Sequence, residues 1–298
     1  MIGCMLAALR IPANGALMSG ISKKGRNRAP TLWVVICAVL AWSLSLAHAA
    51  PAAGDELHWS TTQNEPERLW EPVSTELRKA YRISQMATDP IENINTAVQL
   101  CEKYIKAHPD NIDGKVDAYV ILAESYSNLG EFSQHIGDRL RAYEQGKASA
   151  QQIIDLAPGR WDGWFWWAAN VGRIAQLKGI LESMIMLKPV KSHLFEAQKL
   201  APNSALVLDG LGLFYREVPW FVGGSLATSK RYLEETLKID PHFTLARIDL
   251  AHTLLKDGDR AQARKELQDI LDEKHPAWPA HYQWWDRPKA EALLKKIN

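Results

Sequence analysis

The feature that most constrains this chain is a proline that recurs after apolar helical segments. The segments read AVQLCEKYIKAHP, ASAQQIIDLAP, FEAQKLAP, SKRYLEETLKIDP and ARKELQDILDEKHP, and they end at Pro109, Pro158, Pro202, Pro241 and Pro276. Because proline disfavours continuation of a helix, each one marks the end of a helix. From Pro72 onward the apolar spacing is helical, and no segment alternates as a strand would. The chain is therefore predicted to be all-α and repetitive.

Each pair of prolines encloses a second helical segment, among them LAESYSNLG, WAANVG, LDGLGLFY and LAHTLLKDG. The unit is helix, turn, helix, proline, with a period tending to about 34 residues, as in tetratricopeptide repeats. Counting back from Pro109 places Ala97 and Cys101 at the small and large packing positions of a second helix. We expect an α-solenoid of degenerate tetratricopeptide-like helix-turn-helix repeats over residues 71–298, preceded by an irregular lead over residues 50–70.

Local signals predict where several helices begin. Ser225 follows two glycines and can cap a helix that starts at Leu226. Asp259 with Gln262 forms a capping box after an Asp-Gly turn. Asp286 precedes Arg287-Pro288 and is expected to cap a final helix. These caps define the boundaries of the later repeats.

The N-terminal region has the pattern of a secretory signal. The apolar run LWVVICAVLAWSLSL follows a basic segment and precedes Ala47-His48-Ala49. It is shorter than the roughly 20 residues of a membrane-spanning helix, and the small-x-small sequence suits a signal peptidase. We expect residues 1–49 to be a signal peptide cleaved after Ala49, with Met18 as the hypothetical true start.

Lipid attachment is not expected at Cys37, because Ile36 is too bulky for the residue that precedes a lipidated cysteine. Five of the 35 basic side chains and none of the 34 acidic ones lie before residue 50. The processed chain would therefore be slightly acidic, and no nucleic-acid partner is expected. Cys101 would be its sole cysteine, which excludes an intramolecular disulfide.

No motif for catalysis is present. The histidines do not cluster, and HExxH, CxxC, GxSxG and glycine-rich phosphate loops are missing from the sequence. The acidic residues fall on polar faces of amphipathic helices, as in a solvated surface. We therefore expect no catalytic residue, no metal site and no cofactor.

The segment WDGWFWWAANVGR concentrates four of the 12 tryptophans. Helical spacing places Trp164, Trp167 and the apolar residues that follow them on a stripe that would face the core. Trp166, Asn170 and Arg173 share a different face, and they are the candidate binding residues. Trp166 fits two roles, as a repeat-packing side chain or as an indole that lines a groove.

A second candidate is the turn REVPWFVGGS, which separates the two helices of one repeat. Pro219 ends the first helix, Gly223 and Gly224 free the backbone, and Trp220 and Phe221 occupy the tip. Long aromatic turns on a solenoid edge suit a contact with a partner. The alternative is that Trp220 folds back over the neighbouring repeat as a lid.

Together these features resemble one known family, the T component of TRAP (tripartite ATP-independent periplasmic) transporters. The resemblance is carried by the phrase from Trp167 to Arg173 and by the turn from Pro219 to Gly224. It implies a periplasmic helical solenoid that partners the transporter's solute-binding protein, with a trimer as one implied assembly. It also implies a cleft for a hydrophobic or organic-acid ligand, lined by Trp166, Asn170 and Arg173 with the Trp220 turn near its rim.

Two functions therefore stay open at this level. The first is a non-enzymatic periplasmic protein that binds a TRAP-type solute-binding subunit and its ligand. The alternative is a general cell-envelope tetratricopeptide adaptor for protein interactions, with no small-molecule ligand. The C-terminal phrase HPAWPAHYQWWDRP leaves a similar choice, because it suits either a cap on the last repeat or a subunit contact.

Overall fold

The computed structural model describes residues 74–86 and 88–297, and their secondary structure is helical throughout. The predicted signal peptide, start and lead lie outside these residues. The helices form successive hairpins: α1 (Thr75–Ser84) with α2 (Pro90–Ala107), α3 (Ile112–Phe132) with α4 (Ile136–Leu156), α5 (Trp161–Lys178) with α6 (Ile180–Leu200), α7 (Ala205–Glu217) with α8 (Leu226–Ile239), and α9 (Thr244–Asp257) with α10 (Arg260–Leu271). The all-α solenoid fold is thus confirmed.

The chain ends in one continuous helical segment, residues 279–297, which we call the final helix. It consists of α11 (Pro279–His281), a π-helical stretch (Tyr282–Asp286) and α12 (Arg287–Ile297). From α3 onward, the first helix of every hairpin starts three residues after a repeat-closing proline, and the final helix follows the same rule after Pro276. It therefore occupies the position of a further first helix.

The predicted caps are confirmed in two cases and wrong in one. The Ser225 hydroxyl accepts a hydrogen bond from the Thr228 amide at 3.1 Å, and Asp259 accepts one from the Gln262 amide at 3.0 Å. Asp286, however, lies inside the final helix and is fully buried. It accepts a hydrogen bond from the Thr244 hydroxyl at 2.7 Å, so it ties two helices together instead of starting one.

The core lies between the first and second helices of the hairpins. Ala97 and Cys101 are fully buried, as the repeat pattern predicts. Burial raises the pKa of the Cys101 thiol to about 12, so this thiol stays protonated and packs as a small hydrophobe. None of the described helices is long and apolar enough to cross a bilayer.

The first helices form an inner wall, since each of them contacts its equivalent in the next hairpin. The final helix lies against this wall and reaches back to the start of the solenoid. Trp284 and Trp285 pack against the apolar cluster of α1, α2 and α3, and the rings of Phe132 and His281 are 6.3 Å apart. The two ends of the described solenoid thus meet across its inner face.

Candidate interaction site

The tryptophans of α5 are distributed differently from the prediction. Trp166 is only 7% exposed and packs edge-on against Phe165 at 5.0 Å, within the main apolar cluster. Trp164 and Trp167 are half-buried on the side of α6, where Trp167 stacks on His193 at 3.8 Å. Of the two roles open for Trp166, its burial agrees with the repeat-packing side chain and not with an indole that lines a groove. The reason is that α5 is covered by helices of its own and adjacent hairpins, which bury more than one face.

Asn170 is also in the interior. Its side-chain amide donates to the Trp166 carbonyl at 2.9 Å, while its Oδ1 atom is buried with no hydrogen-bond partner. A Cβ atom at Gly146 of α4 would lie 2.4 Å from that oxygen. Glycine at position 146 is thus what lets α4 approach α5 over the Asn170 amide.

Arg173 lies at the inner wall, but its guanidinium is already paired. Its Nε atom is 2.7 Å from Oε1 of Glu131 on α3, and the Tyr143 hydroxyl donates to the same oxygen at 2.9 Å. Burial alone would raise the pKa of Glu131, but Arg173 and Tyr143 outweigh it and keep that pKa below the ordinary range. An organic acid at Arg173 would have to compete with this internal carboxylate.

Further charges continue along the inner wall. Arg216 of α7 donates to Asp249 of α9 at 2.8 Å, and both side chains are buried. Asp209 is 3% exposed, and its Oδ1 atom has no hydrogen-bond partner. Burial and the nearby Asp249 carboxylate raise the pKa of Asp209 well above its ordinary value. Burial, with Lys289 and Arg216 close by, lowers the pKa of His252 to about 3, which makes it neutral at physiological pH.

The turn after α7 holds its aromatic tip in solvent. Trp220 is 84% exposed and Phe221 is 60% exposed, with their rings edge-on at 5.9 Å. The Gly224 amide donates to the Pro219 carbonyl at 3.1 Å, and a 3₁₀-helical turn spans Trp220–Val222. The lid interpretation of Trp220 is wrong, because the indole does not fold back onto a neighbour.

The backbone of this turn requires glycine at both position 223 and position 224. Gly223 has a φ of 102°, a left-handed conformation that a side chain would strain. A Cβ at Gly224 would lie 1.7 Å from the Val218 carbonyl oxygen. Ser225 then donates its amide to the Tyr215 carbonyl at 2.9 Å, which returns the chain to the hairpin. The aromatic tip is thus supported by a defined backbone.

Sequence reasoning missed an apolar surface on the adjacent hairpin. Leu181 is 82% exposed at the start of α6, and Ile180 and Ile185 beside it are also exposed. Because consecutive first helices run in the same direction, the turn at Gly179 and the turn at Trp220 lie on the same edge of the solenoid. We call Ile180, Leu181, Ile185, Trp220 and Phe221 the turn surface. The run ILESMIM directly after Gly179 was the available signal.

A surface depression lies elsewhere on the molecule. A depression of about 520 Å³ lies on the outer face of α2, lined by Gln99, Glu102, Lys103, Lys106 and Ala107, away from the predicted cleft residues. Within residues 74–86 and 88–297, no group of His, Cys, Asp or Glu side chains is arranged to hold a metal ion.

Comparison with known proteins supports the repeat architecture. Residues 78–220 match the family described as regulator of microtubule dynamics protein 1-3, and residues 224–283 match a tetratricopeptide repeat family. Each match covers less than half of the chain. No functionally curated protein matches.

One solved structure agrees at the level of the fold. A thermophilic tetratricopeptide repeat protein from Thermus thermophilus is 16% identical, covering 74% of this chain and 96% of its own, with a TM-score of 0.51. A structure of MamA is 18% identical over 61% of this chain and 90% of its own, with a TM-score of 0.38. The first of these likenesses shows the fold alone.

The fold and the repeat match define the class of this protein. It is a tetratricopeptide-like helical-repeat protein, a class that serves protein–protein interaction through its extended surfaces. The repeat-family match supports this class, and neither family match names the T component of TRAP transporters.

Proposed function

We propose that this protein is a non-enzymatic adaptor that binds a partner protein through its turn surface. The observation that carries the proposal is the exposure of Trp220 on a structured turn. Contiguous exposed apolar side chains are unfavourable in water and mark contact sites, and tryptophan is enriched among the residues that dominate binding energy. The exposed apolar start of α6 adds further apolar side chains on the same edge of the solenoid.

The test is capture of partners by the immobilised chain from an extract of its native cell envelope. Trp220→Ala is expected to lose the partner that the wild-type chain retains, since a central interface tryptophan commonly contributes about 2 kcal/mol or more. Ile112→Ala is the matched control, because Ile112 is an exposed apolar residue at the opposite edge. Equal retention by wild type and Trp220→Ala would refute the proposal.

A more specific form of the proposal places the protein in the periplasm with a TRAP-type solute-binding protein as its partner. Its support is the resemblance of the Trp167–Arg173 phrase and the Pro219–Gly224 turn. In this form the capture experiment retains a solute-binding protein, and retention depends on Trp220. Recovery of a different envelope protein favours the general adaptor.

The predicted organic-acid ligand belongs to the same specific form. The Arg173–Glu131 pair and the burial of Trp166 favour the adaptor without a small-molecule ligand. Titration with hydrophobic carboxylic acids, followed by tryptophan fluorescence, distinguishes a protein that binds an organic acid from an adaptor without a small-molecule ligand. A saturable change that weakens in Arg173→Lys supports a ligand at the inner wall, because lysine lacks the bidentate geometry of arginine.

A further inference from the structure

The edge of the solenoid that carries the turn surface is stepped, because its hairpins differ in length. α4, α6 and α8 each end two residues before a repeat-closing proline, so their C-termini lie at one level. α4 and α6 have 21 residues each, whereas α8 has 14. At a rise of about 1.5 Å per residue, α6 extends roughly 10 Å beyond α8. The turns at His135 and Gly179 form the high side of this step, and the turns at Trp220 and Gly258 form its low side.

The vertical surface of the step is the apolar start of α6. The buried apolar side chains of α6 lie in its C-terminal half, where the next hairpin packs: Val190, Leu194 and Ala197. Toward its N-terminus, Leu181, Met184 and Ile185 are exposed. Because α7 and α8 are too short to cover them, these side chains stand above the exposed Trp220 tip. An apolar helix surface roughly one helix diameter high therefore adjoins an aromatic turn.

A stepped edge of this kind is complementary to itself. When a second copy is rotated by half a turn about an axis at the step, its high side lies over the low side of the first copy, and the reverse holds equally. The turn at Gly179 of each copy then meets the turn at Trp220 of the other. Ile180 and Leu181 contact Trp220 and Phe221, and symmetry makes this contact twice. A flat partner such as a bilayer would meet the high side first.

The neighbouring pair of turns gives this arrangement a charged rim. In the low turn around Gly258, Lys256 is paired with Glu217 of its own chain, and the remaining charged side chains carry one net negative charge: Asp257, Asp259 and Arg260. In the high turn around His135, the charged side chains carry one net positive charge with the histidine neutral: Asp138, Arg139 and Arg141. The two-fold rotation brings these turns together, so opposite net charges face each other. An apolar centre with a polar rim is the usual composition of a stable interface.

From this shape and charge we propose that the stepped edge binds the same edge of a second copy of this chain, about a two-fold axis at the step. The proposal rests on the proposed function, because it takes the turn surface as a protein contact and names the partner there. Each copy contributes Trp220 and Phe221 to one half of the interface and Ile180 and Leu181 to the other half. Removal of these side chains from water stabilises the dimer.

The first experiment is sedimentation equilibrium of the full chain at micromolar concentrations, where wild type is expected to have the mass of a dimer. Trp220→Lys and Leu181→Glu are each expected to raise the dissociation constant of the dimer about a hundredfold or more, because symmetry places each change in the interface twice. Ile112→Glu is the matched control, since it adds the same charge at an exposed helix start on the opposite edge, and it should remain dimeric. All variants carry the same N-terminal region.

Mixing the two monomeric variants tests the predicted pairing directly. In a dimer of one Trp220→Lys copy with one Leu181→Glu copy, one contact joins the new lysine to the new glutamate, and the other keeps the original leucine and tryptophan. The mixture should therefore form dimers more tightly than either variant alone. Circular dichroism verifies that both variants are folded, as expected for two side chains that are more than 80% exposed.

Several outcomes would overturn the second copy as the partner. These are a wild-type chain with the mass of a monomer or a trimer, a monomer that cosediments with phosphatidylcholine vesicles, or a mixture that stays monomeric. A monomeric wild-type chain that still captures an envelope protein through Trp220 overturns the dimer and leaves the proposed function standing. If Trp220→Lys loses neither the dimer nor the captured partner, both proposals are wrong.

Discussion

At the residue scale, Trp166 and Trp220 show what helical spacing can and cannot determine. Spacing along α5 correctly groups Trp166 with Asn170 on one face, and it separates them from Trp164 and Trp167. It does not say which neighbouring helix covers that face, because that depends on how consecutive hairpins stack. For Trp220 the sequence left a contact site and a lid both open, and the structure exposes the indole because a turn bounded by Pro219 and glycines has few neighbours to bury it.

The burial of Trp166 and the exposure of Trp220 predict different effects of their substitution on stability. Trp166→Ala should destabilise the fold by about 3–5 kcal/mol, because it leaves a large cavity in the main apolar cluster. Trp220→Ala should change stability little, since its indole is in solvent. Chemical denaturation of both variants measures the difference. A Trp166→Ala protein as stable as wild type would show that the position is not packed as described.

Asp209 predicts a pH dependence of the opposite sign to that of most carboxylates. Its pKa is raised in the folded state, so its contribution to stability is present below the unfolded pKa and is lost as pH rises through the folded pKa. Asp209→Asn removes this ionisation. We expect the variant to be more stable than wild type at neutral pH, with an advantage that disappears on acidification.

Thermal melts of wild type and Asp209→Asn at several pH values test this prediction. For a domain of this size, each kcal/mol in the free energy of unfolding shifts the melting temperature by about 2–4 °C. Asp257→Asn serves as the control, because Asp257 is exposed at the end of α9 and should show no comparable pH-dependent gain. A constant difference between Asp209→Asn and wild type at every pH would contradict the assignment.

At the scale of elements, most helix boundaries followed from sequence. The prolines fixed where hairpins begin, and Ser225 and Asp259 cap α8 and α10 as predicted. Asp286 misled the boundary prediction, because a carboxylate before Arg-Pro has the same local pattern whether it caps a helix or bonds to Thr244 across the fold. Caps are local, whereas the burial of Asp286 depends on a contact 42 residues away in sequence.

The turn after α7 yields an element-level prediction. Gly224→Ala places a methyl group against the Val218 carbonyl, so the turn must shift and the Trp220 tip loses its defined position. We expect this variant to bind the partner protein as weakly as Trp220→Ala does. In Gly223→Ala the added methyl group meets open space and the cost is left-handed backbone strain alone, about 1–2 kcal/mol.

Amide hydrogen exchange over residues 215–229 distinguishes the two glycine variants. Gly224→Ala should lose protection at the Ser225 amide, which donates to the Tyr215 carbonyl, whereas Gly223→Ala should retain it. Full partner binding by Gly224→Ala would show that the shape of the turn is unimportant for recognition.

At the scale of the whole molecule, the sequence predicted a solenoid of repeats but not the contact that closes it. The phrase HPAWPAHYQWWDRP was identified as a cap or a subunit contact, and the burial of Tyr282 and Ala290 of the final helix against α9 and α10 agrees with the first of these. Its contact with α3 could not be predicted, since Phe132 and His281 are brought together by the curvature accumulated over the intervening hairpins. This curvature results from many small packing angles between consecutive hairpins, so no sequence motif marks it.

The contact between the final helix and α3 predicts how local unfolding spreads through the molecule. In an open solenoid, each repeat senses only its neighbours, so a defect in the last hairpin stays local. Here Leu267→Ala, which should cost about 2–5 kcal/mol, loosens the packing of the final helix. We expect faster amide exchange in α9, in α10 and in the final helix, and also at the end of α3, while α5 remains protected. Leu208→Ala in α7 is the matched comparison, and it should expose α5 and α7 instead. Unchanged protection at Phe132 in Leu267→Ala would mean that the contact across the inner face contributes nothing to the stability of the first repeats.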